Sequence, residues 1–495
     1  MAALVMRLSL LVVLLAPSWA SGQPLVPASD ERHVEDVLAT MTVREKIGQL
    51  FMVGFNQESL DRDETLQTLL TDFGVGGVIL YEHNIRRMRP YNYGSTEPPD
   101  HEVVARTVAE LTNALQGAVP RLERDRDIRI PLLIAADQEN GSVTRIEAGV
   151  TELPGALAIG QTRNAEYAYK AGKITGSELR AIGINMSLAP VMDVNTNAND
   201  PDIINDRAFG GHQDIVAPLG TAFIRGLQAG GVVAVAKHFP GHGDSRDNPH
   251  SSLPVVQSPL PSIRDIDLPP FEAAIDAGVG AIMTAHMHYR ALNSLMGLPF
   301  SMDPRLRELL RDEMKFTGVV VSDDLVNMHA ATGAGNRTLH DAVRLSFGAG
   351  TDLIILAHFC SPARERADNC RGGETTVDEV RNIVDQMAEQ FDSDTRDLDE
   401  SVRRVLRLKS RIFPDFNART VDAAVVADKV RTSESLSTAT EIASEAVVLL
   451  RENGAAVESL EDTRYFSGEN GPLTGVDTGA RVLVASPVFT PPELL

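Results

Sequence analysis

Residues 318–328 read GVVVSDDLVNM, an uninterrupted apolar run that leads into two adjacent carboxylates, Asp323 and Asp324. A run that does not alternate is what a parallel strand buried on both faces requires. Neighbouring side chains on a strand point to opposite sides, so one acid faces a pocket while the other supports it or caps the next helix. The same pattern recurs along the chain. Gln49–Phe55, Gly77–Tyr81, Leu132–Asp137, Asn185–Val191, Val232–His238, Ala281–His286 and Asp352–Leu356 are further β-rich runs, which with Gly318–Asp324 makes eight. Amphipathic stretches with helical spacing lie between them: Glu102–Val119, Glu166–Ile182, Ile215–Ala229, Phe271–Ala277 and Pro304–Met314. Eight strands alternating with helices indicate an α/β fold of the (β/α)8 TIM type, the other arrangement being a long doubly wound sheet.

In such a barrel the active-site residues sit where strands end, at the carboxyl face. Those ends carry Tyr81 and His83, Asp137, Asp193, Lys237 and His238, His286, Asp323 and Asp324, and His358. Random loop polarity accounts for one or two such ends but not for seven.

The remainder of the 495 residues is organised around that unit. Residues 1–20 read as a signal peptide: Arg7 is the only charge, Leu8–Ala16 is apolar apart from Ser9, and Ser18, Trp19 and Ala20 form a small-x-small cleavage site. No later run is long enough to span a bilayer, so the expected protein is exported, extracellular or periplasmic, with no integral membrane segment. Trp19 is the single tryptophan, and its loss with the signal argues against a polysaccharide-binding module built on indole platforms. The barrel is expected over 31–413, a polar linker over 414–437, and over 438–495 the opening of a second α/β (sandwich-type) domain. Forty-six Lys and Arg against 68 Asp and Glu leave a net charge of −22, which repels phosphate backbones and excludes nucleic acid as a first choice of partner. Two cysteines, Cys360 and Cys370, rule out a Cys-rich zinc site and leave either one small disulfide loop or two free thiols.

The densest chemistry lies in AVAKHFPGHGDSRDNPHSSLP, residues 234–254, where His238, Asp244, Asp247 and His250 fall within 13 positions of a Gly- and Pro-shaped loop. Any one of these alone is more simply a polar residue satisfying a turn. His286 and His288 make an H-x-H pattern by which a barrel can ligate metal, but no matching His, Lys and Asp set follows at later strands.

Taken in order, REKIGQLFMVGF at Arg44, LLIAADQENG at Leu132, LAPVMDVN at Leu188, RAFG at Arg207, KHFPGHG at Lys237, MTAH at Met283 and GVVVSDDL at Gly318 resemble glycoside hydrolase family 3, in its β-N-acetylhexosaminidase branch. The resemblance covers about Asp36 to Leu408, and ASEAVVLLRENG is similar to the start of the sandwich domain of two-domain members. It implies a retaining exo-glycosidase acting on an oligosaccharide or peptidoglycan fragment, with no cofactor and no metal. It assigns Asp323 as nucleophile and Asp324 to support. It also makes Asp137, Arg145, Arg207, Lys237 and His238 the groups that bind sugar hydroxyls, with Asp193, Asn195 and His286 lining the site. The acid/base it implies is a loop histidine, here His250, paired in the family with an Asp two residues earlier. That place holds Asn248, which supports an imidazolium less well, so Asp247 or Asp244 is the expected substitute. A β-glucosidase or xylosidase of the same family, phosphorolysis, and a non-catalytic sugar-binding relic are the competing readings.

Overall fold

The computed structural model describes residues 31–86, 100–196, 203–242, 245, 247, 252–327, 330–332, 337–361, 364–365, 370–371 and 373–446. Residues 1–20, Asp244, Asn248, His250 and most of 438–495 lie outside the described residues.

Eight parallel strands close into a barrel. They are β1 (Phe51–Val53), β2 (Gly77–Leu80), β3 (Leu133–Ala136), β4 (Met186–Ser187), β5 (Val233–Phe239), β6 (Ala281–Thr284), β7 (Val319–Asp324) and β8 (Leu353–Leu356). Seven of the eight expected runs contain their strands, β5 extends one residue past its expected end at His238, and every strand pairs with its neighbours in sequence. Closure is made by β1 on β8, with Phe51 opposite Ile354. The continuous apolar runs have a direct cause. Met52, Ile79, Leu133, Val235, Met283, Val321 and Ile355 pack together inside the barrel. Alternate positions, among them Phe51, Val78, Ile134, Ala234, Ile282, Val320 and Ile354, belong to the outer layer beneath the helices. Both faces of each strand are therefore dry, and full burial of each Val, Leu or Ile contributes about 1.5–3 kcal/mol.

The helices begin and end where local chemistry dictates. Asp100 accepts from the Glu102 and Val103 amides to open the helix His101–Ala118. Thr42 and Glu45 form a reciprocal capping box before Val43–Gly48. Helices Ala165–Ala181 and Gln213–Ala229 approach so closely that a Cβ on Gly176 would stand 2.4 Å from the Leu227 carbonyl oxygen. The stretch expected as one helix at Pro304–Met314 is an α-helical turn, Arg305–Arg307, that widens into π-helix over Glu308–Glu313.

Beyond the barrel, 414–446 lies against the outer helices. Phe416, Val426, Val430 and Ile442 are buried, the Val421 amide donates to Asn113, and the Arg431 guanidinium donates to the Val150 carbonyl. Helix Ser433–Glu445 is fixed to the helix Ala165–Ala181 by the Tyr167 hydroxyl, which donates to Glu441. Cys360 and Cys370 form a disulfide just after β8. Among the described residues no helix is long and apolar enough to cross a membrane.

Candidate active site

The carboxyl ends of the strands enclose a cavity of about 330 Å³. Its wall brings together Asp137, Arg145, Arg207, Lys237, His238, His286, Asp323 and Asp324, which the sequence places on loops and strands up to 187 positions apart.

An ion network forms the floor on the β3 and β5 side. Lys237, 2 % exposed in its side chain, holds Asp137 Oδ1 at 2.7 Å and Glu139 Oε1 at 2.6 Å. Arg207 grips Glu139 with two parallel bonds, Nε to Oε2 and Nη2 to Oε1, both 2.8 Å. Arg145 bridges Glu82 at 3.1 Å and approaches Asp137 at 3.7 Å. Burial works against the charges of Glu139, Arg207 and Lys237. At Glu139 the Arg207 and Lys237 cations overcome it and hold the carboxyl far below the usual range. At Lys237 the Asp137 and Glu139 carboxylates likewise outweigh burial and raise the ammonium's pKa. Glu139, Arg207 and Lys237 are thus held ionised, and the network is fixed and able to bind hydroxyls through charge-assisted bonds.

His238 is oriented from behind. Its Nδ1 lies 2.8 Å from Asp193 Oδ2, and Asp193 also accepts from the backbone amides of His238 at 3.2 Å and His242 at 2.8 Å. Asp193 is fully buried behind the wall, and burial, which would raise its pKa, yields to the His238 and His242 contacts that lower it. With Nδ1 engaged, His238 presents Nε2 near Arg207 Nη2 at 3.5 Å. Asp193→Ala removes this orientation. The expected result is a fall in kcat/KM of about ten- to a hundredfold, the scale of misplacing a binding group by about 1 Å, checked by steady-state kinetics beside a circular-dichroism melt.

Asp323 and Asp324 divide as adjacent strand residues must. Asp323 is half-buried at the mouth, its Oδ1 accepting the Asp324 amide at 2.8 Å. Asp324 is buried, and there His358 and the Ala357 and Asn327 amides outweigh burial and lower its pKa. His286, whose pKa burial lowers, bonds Ser301 Oγ through Nδ1 at 2.6 Å, and its buried Nε2 has no hydrogen-bond partner among the described residues. Asn195 bonds the Asn205 carbonyl at 3.3 Å. Asp247 is exposed, its amide on Ser245 Oγ at 3.4 Å, and it does not line the cavity. His83 is committed to the Phe55 carbonyl and stacks on Tyr81.

Two ionisable lining residues escaped the sequence reading. Glu139 stands two places after Asp137 in an extended segment, a spacing that puts both on one face and was the available signal. His242, the second histidine of KHFPGHG, packs edge-on against His238 with centroids 5.2 Å apart, and burial pushes it down to about 4. The pocket thus sets fixed cations and anions able to bind hydroxyls beside a half-buried carboxylate at the mouth of a barrel.

Residues 42–408 match the family described as glycosyl hydrolase family 3 N terminal domain, and the chain belongs to that family. It is 30% identical over 421 residues to Beta-hexosaminidase A of Pseudoalteromonas piscicida, covering 81% of this chain and 64% of that protein. A Beta-hexosaminidase of Thioalkalivibrio sulfidiphilus is 34% identical over 302 residues, covering 60% of this chain and 77% of that protein. In structure it is similar to a glycoside hydrolase family 3 beta-N-acetylglucosaminidase from a Paenibacillus species, with TM-score 0.70 and 34% identity over 84% of this chain and 70% of that one. The chain therefore spans just under two thirds of the Pseudoalteromonas relative.

Proposed function

We propose that the protein is an exported, retaining exo-glycosidase that releases terminal β-linked N-acetylglucosamine from an oligosaccharide or peptidoglycan fragment. The observation that carries this reading is the position of Asp323, a half-buried carboxylate facing the same cavity as the Asp137, Lys237 and Arg207 network. Its oxygen attacks the anomeric carbon while the network holds the sugar's hydroxyls, and water then cleaves the glycosyl ester. His250, which follows β5 in sequence, is the acid/base on this reading, carried by the resemblance of its motif. A cavity of about 330 Å³ suits one sugar unit rather than a chain of them, which favours exo action. The names of the relatives and of the Paenibacillus structure favour the N-acetyl sugar. Export is supported by the pattern of residues 1–20 and by the Cys360–Cys370 disulfide, a bond typical of oxidising compartments.

The test is nitrophenol release from aryl N-acetyl-β-glucosaminide and aryl β-glucoside, side by side. The expected result is a kcat/KM for the N-acetyl sugar higher by about tenfold or more, the discrimination a few substrate contacts supply. Preference for the glucoside transfers the assignment to the glucosidase or xylosidase reading. Binding of either sugar without turnover transfers it to a sugar-binding relic.

A further inference from the structure

Another cavity, of about 140 Å³, opens at the amino ends of β5 and β6, the end of the barrel opposite the active site. Helix Ala165–Ala181 contributes Arg180 to it, and helix Arg396–Ile412 contributes Arg411. Its other walls include Gln228, Gly231, Gly278 and Gly280, and among the described residues no carboxylate lines it. That is unexpected in a chain with 68 acidic against 46 basic residues. The walls are fixed. Gln228 Nε2 donates to the Gly278 carbonyl at 3.2 Å and its Oε1 accepts the Gly280 amide at 2.9 Å, which joins the two strand entries. The stem of Arg180 lies on Gly231, where a Cβ would come within 3.4 Å of its Cγ, and its guanidinium stands over the Phe413 ring at 5.0 Å. A guanidinium stacked on one face keeps the N–H donors of its edge available.

Other half-buried guanidiniums are bonded: Arg311 donates to the Phe316 and Gly318 carbonyls and to Asp352, and Arg431 donates to the Val150 carbonyl. Arg180 and Arg411 make no hydrogen bond and no ion pair with any described residue. Both remain cations, because a guanidinium does not give up its proton in a protein. Burial disfavours each charge. Nothing opposes it at Arg180, and at Arg411 only Glu31 does, a carboxylate already paired with Arg407 at 2.8 Å. The fold offsets part of this charge. Each arginine stands in the last turn of its helix, where the helix end supplies about half a negative charge, so the two ends together offset about one of the two positive charges. The neighbouring ends of helices Gln213–Ala229 and Leu268–Asp276 are closed by backbone, with the Val232 amide on the Leu227 carbonyl and the Val279 amide on the Ala274 carbonyl. About one positive charge is left for a ligand to offset.

We propose that Arg180 and Arg411 bind a small tetrahedral oxyanion, phosphate or sulfate, between helices Ala165–Ala181 and Arg396–Ile412. The planar fork of an arginine matches two oxygens of such an ion, and two forks can take all four. A cavity of about 140 Å³ suits one ion with a few waters, since a water takes about 30 Å³ in the liquid. The site lies apart from the sugar cavity, so it does not depend on which residue is the nucleophile or which sugar is cleaved. An ion held by two helices binds the folded chain alone and therefore raises its melting temperature.

The experiment titrates phosphate and sulfate into the full chain, each against chloride at equal ionic strength, by isothermal calorimetry and by thermal melts. The expected result is one oxyanion per chain with a Kd of about 1 mM or below, and a melting temperature raised by about 2 °C at ten times that concentration. Arg180→Gln and Arg411→Gln should each weaken binding about tenfold or more, and Arg411→Lys, which keeps the charge but not the fork, should weaken it less. Where Arg411→Gln does not fold, Arg411→Lys carries the comparison. Arg396→Gln, at the exposed start of the same helix, should leave binding intact. Chloride acting as strongly as phosphate would mark a general salt effect and overturn the proposal. Binding that persists in both glutamine variants, or that N-acetylglucosamine displaces, would put the ion on the cations of the catalytic cavity and overturn it equally.

Discussion

Asp323→Ala should lower turnover of an aryl N-acetyl-β-glucosaminide by roughly four orders of magnitude or more while the barrel stays folded. The size follows from the role. A nucleophile splits one difficult displacement into two easier ones, and its loss leaves only binding and positioning. The fold should survive because Asp323 stands half-buried at the mouth, outside the ion network that crosses the floor. Sugar binding should survive for the same reason, since Asp137, Lys237 and Arg207 are untouched. A small anion such as azide can then enter the space left by the carboxylate and attack from the same face. That single displacement gives the α-glycosyl azide, an inverted product, and its appearance with recovered nitrophenol release is the specific check. Full activity of Asp323→Ala would remove the assignment.

Glu139→Ala should be the most damaging substitution for stability. Glu139 is buried beneath both Arg207 and Lys237, and its removal leaves the buried Lys237 ammonium on Asp137 and takes from Arg207 the carboxylate it grips. Breaking a buried ion pair from one side costs about 3–5 kcal/mol, because an uncompensated charge stays in a poorly solvated place. Glu139→Gln keeps the shape and one acceptor and should cost less, which separates charge from packing. The pH dependence follows from the depressed pKa of Glu139. Its contribution is fully present above the unfolded-state value near 4.5 and is lost only as pH falls toward the lower folded value. In thermal melts, the gap between wild type and Glu139→Gln should therefore hold down to about pH 5 and narrow in stronger acid. A gap that does not change between pH 7 and pH 3 would contradict the ionised state assigned to this residue.

The barrel was legible because its physics is periodic. Two-sided burial makes each strand continuous in Val, Ile, Leu and Ala, and the rule that chemistry sits at strand ends selects Asp137, Lys237, His238, Asp323 and Asp324 without any contact information. Pairings between strands were not legible. Asp193 meets His238 across 45 positions and Asp324 meets His358 across 34, and nothing local in either segment encodes the partner. Glu139 hid behind Asp137 for a related reason: its role comes from Arg207 on a distant loop, 68 positions away. Sequence also left the cysteine pairing open, since a spacing of ten allows a bond without requiring one, and the fold brings their Cα atoms to 5.5 Å. The stretch 414–437 reads as a polar linker because Phe416, Val426 and Val430 are too widely spaced for a helix or strand period, yet each finds a place on the barrel's outer surface.

Covalent trapping tests the central claim most directly. An N-acetylglucosaminyl fluoride carrying fluorine at C5 destabilises both transition states but keeps a good leaving group, so the glycosyl ester forms faster than it hydrolyses. Peptide mapping by mass spectrometry after a short incubation should place the sugar on Asp323, with one label per chain. A label on Asp137 or Asp324, or none despite turnover of the aryl substrate, would contradict the account.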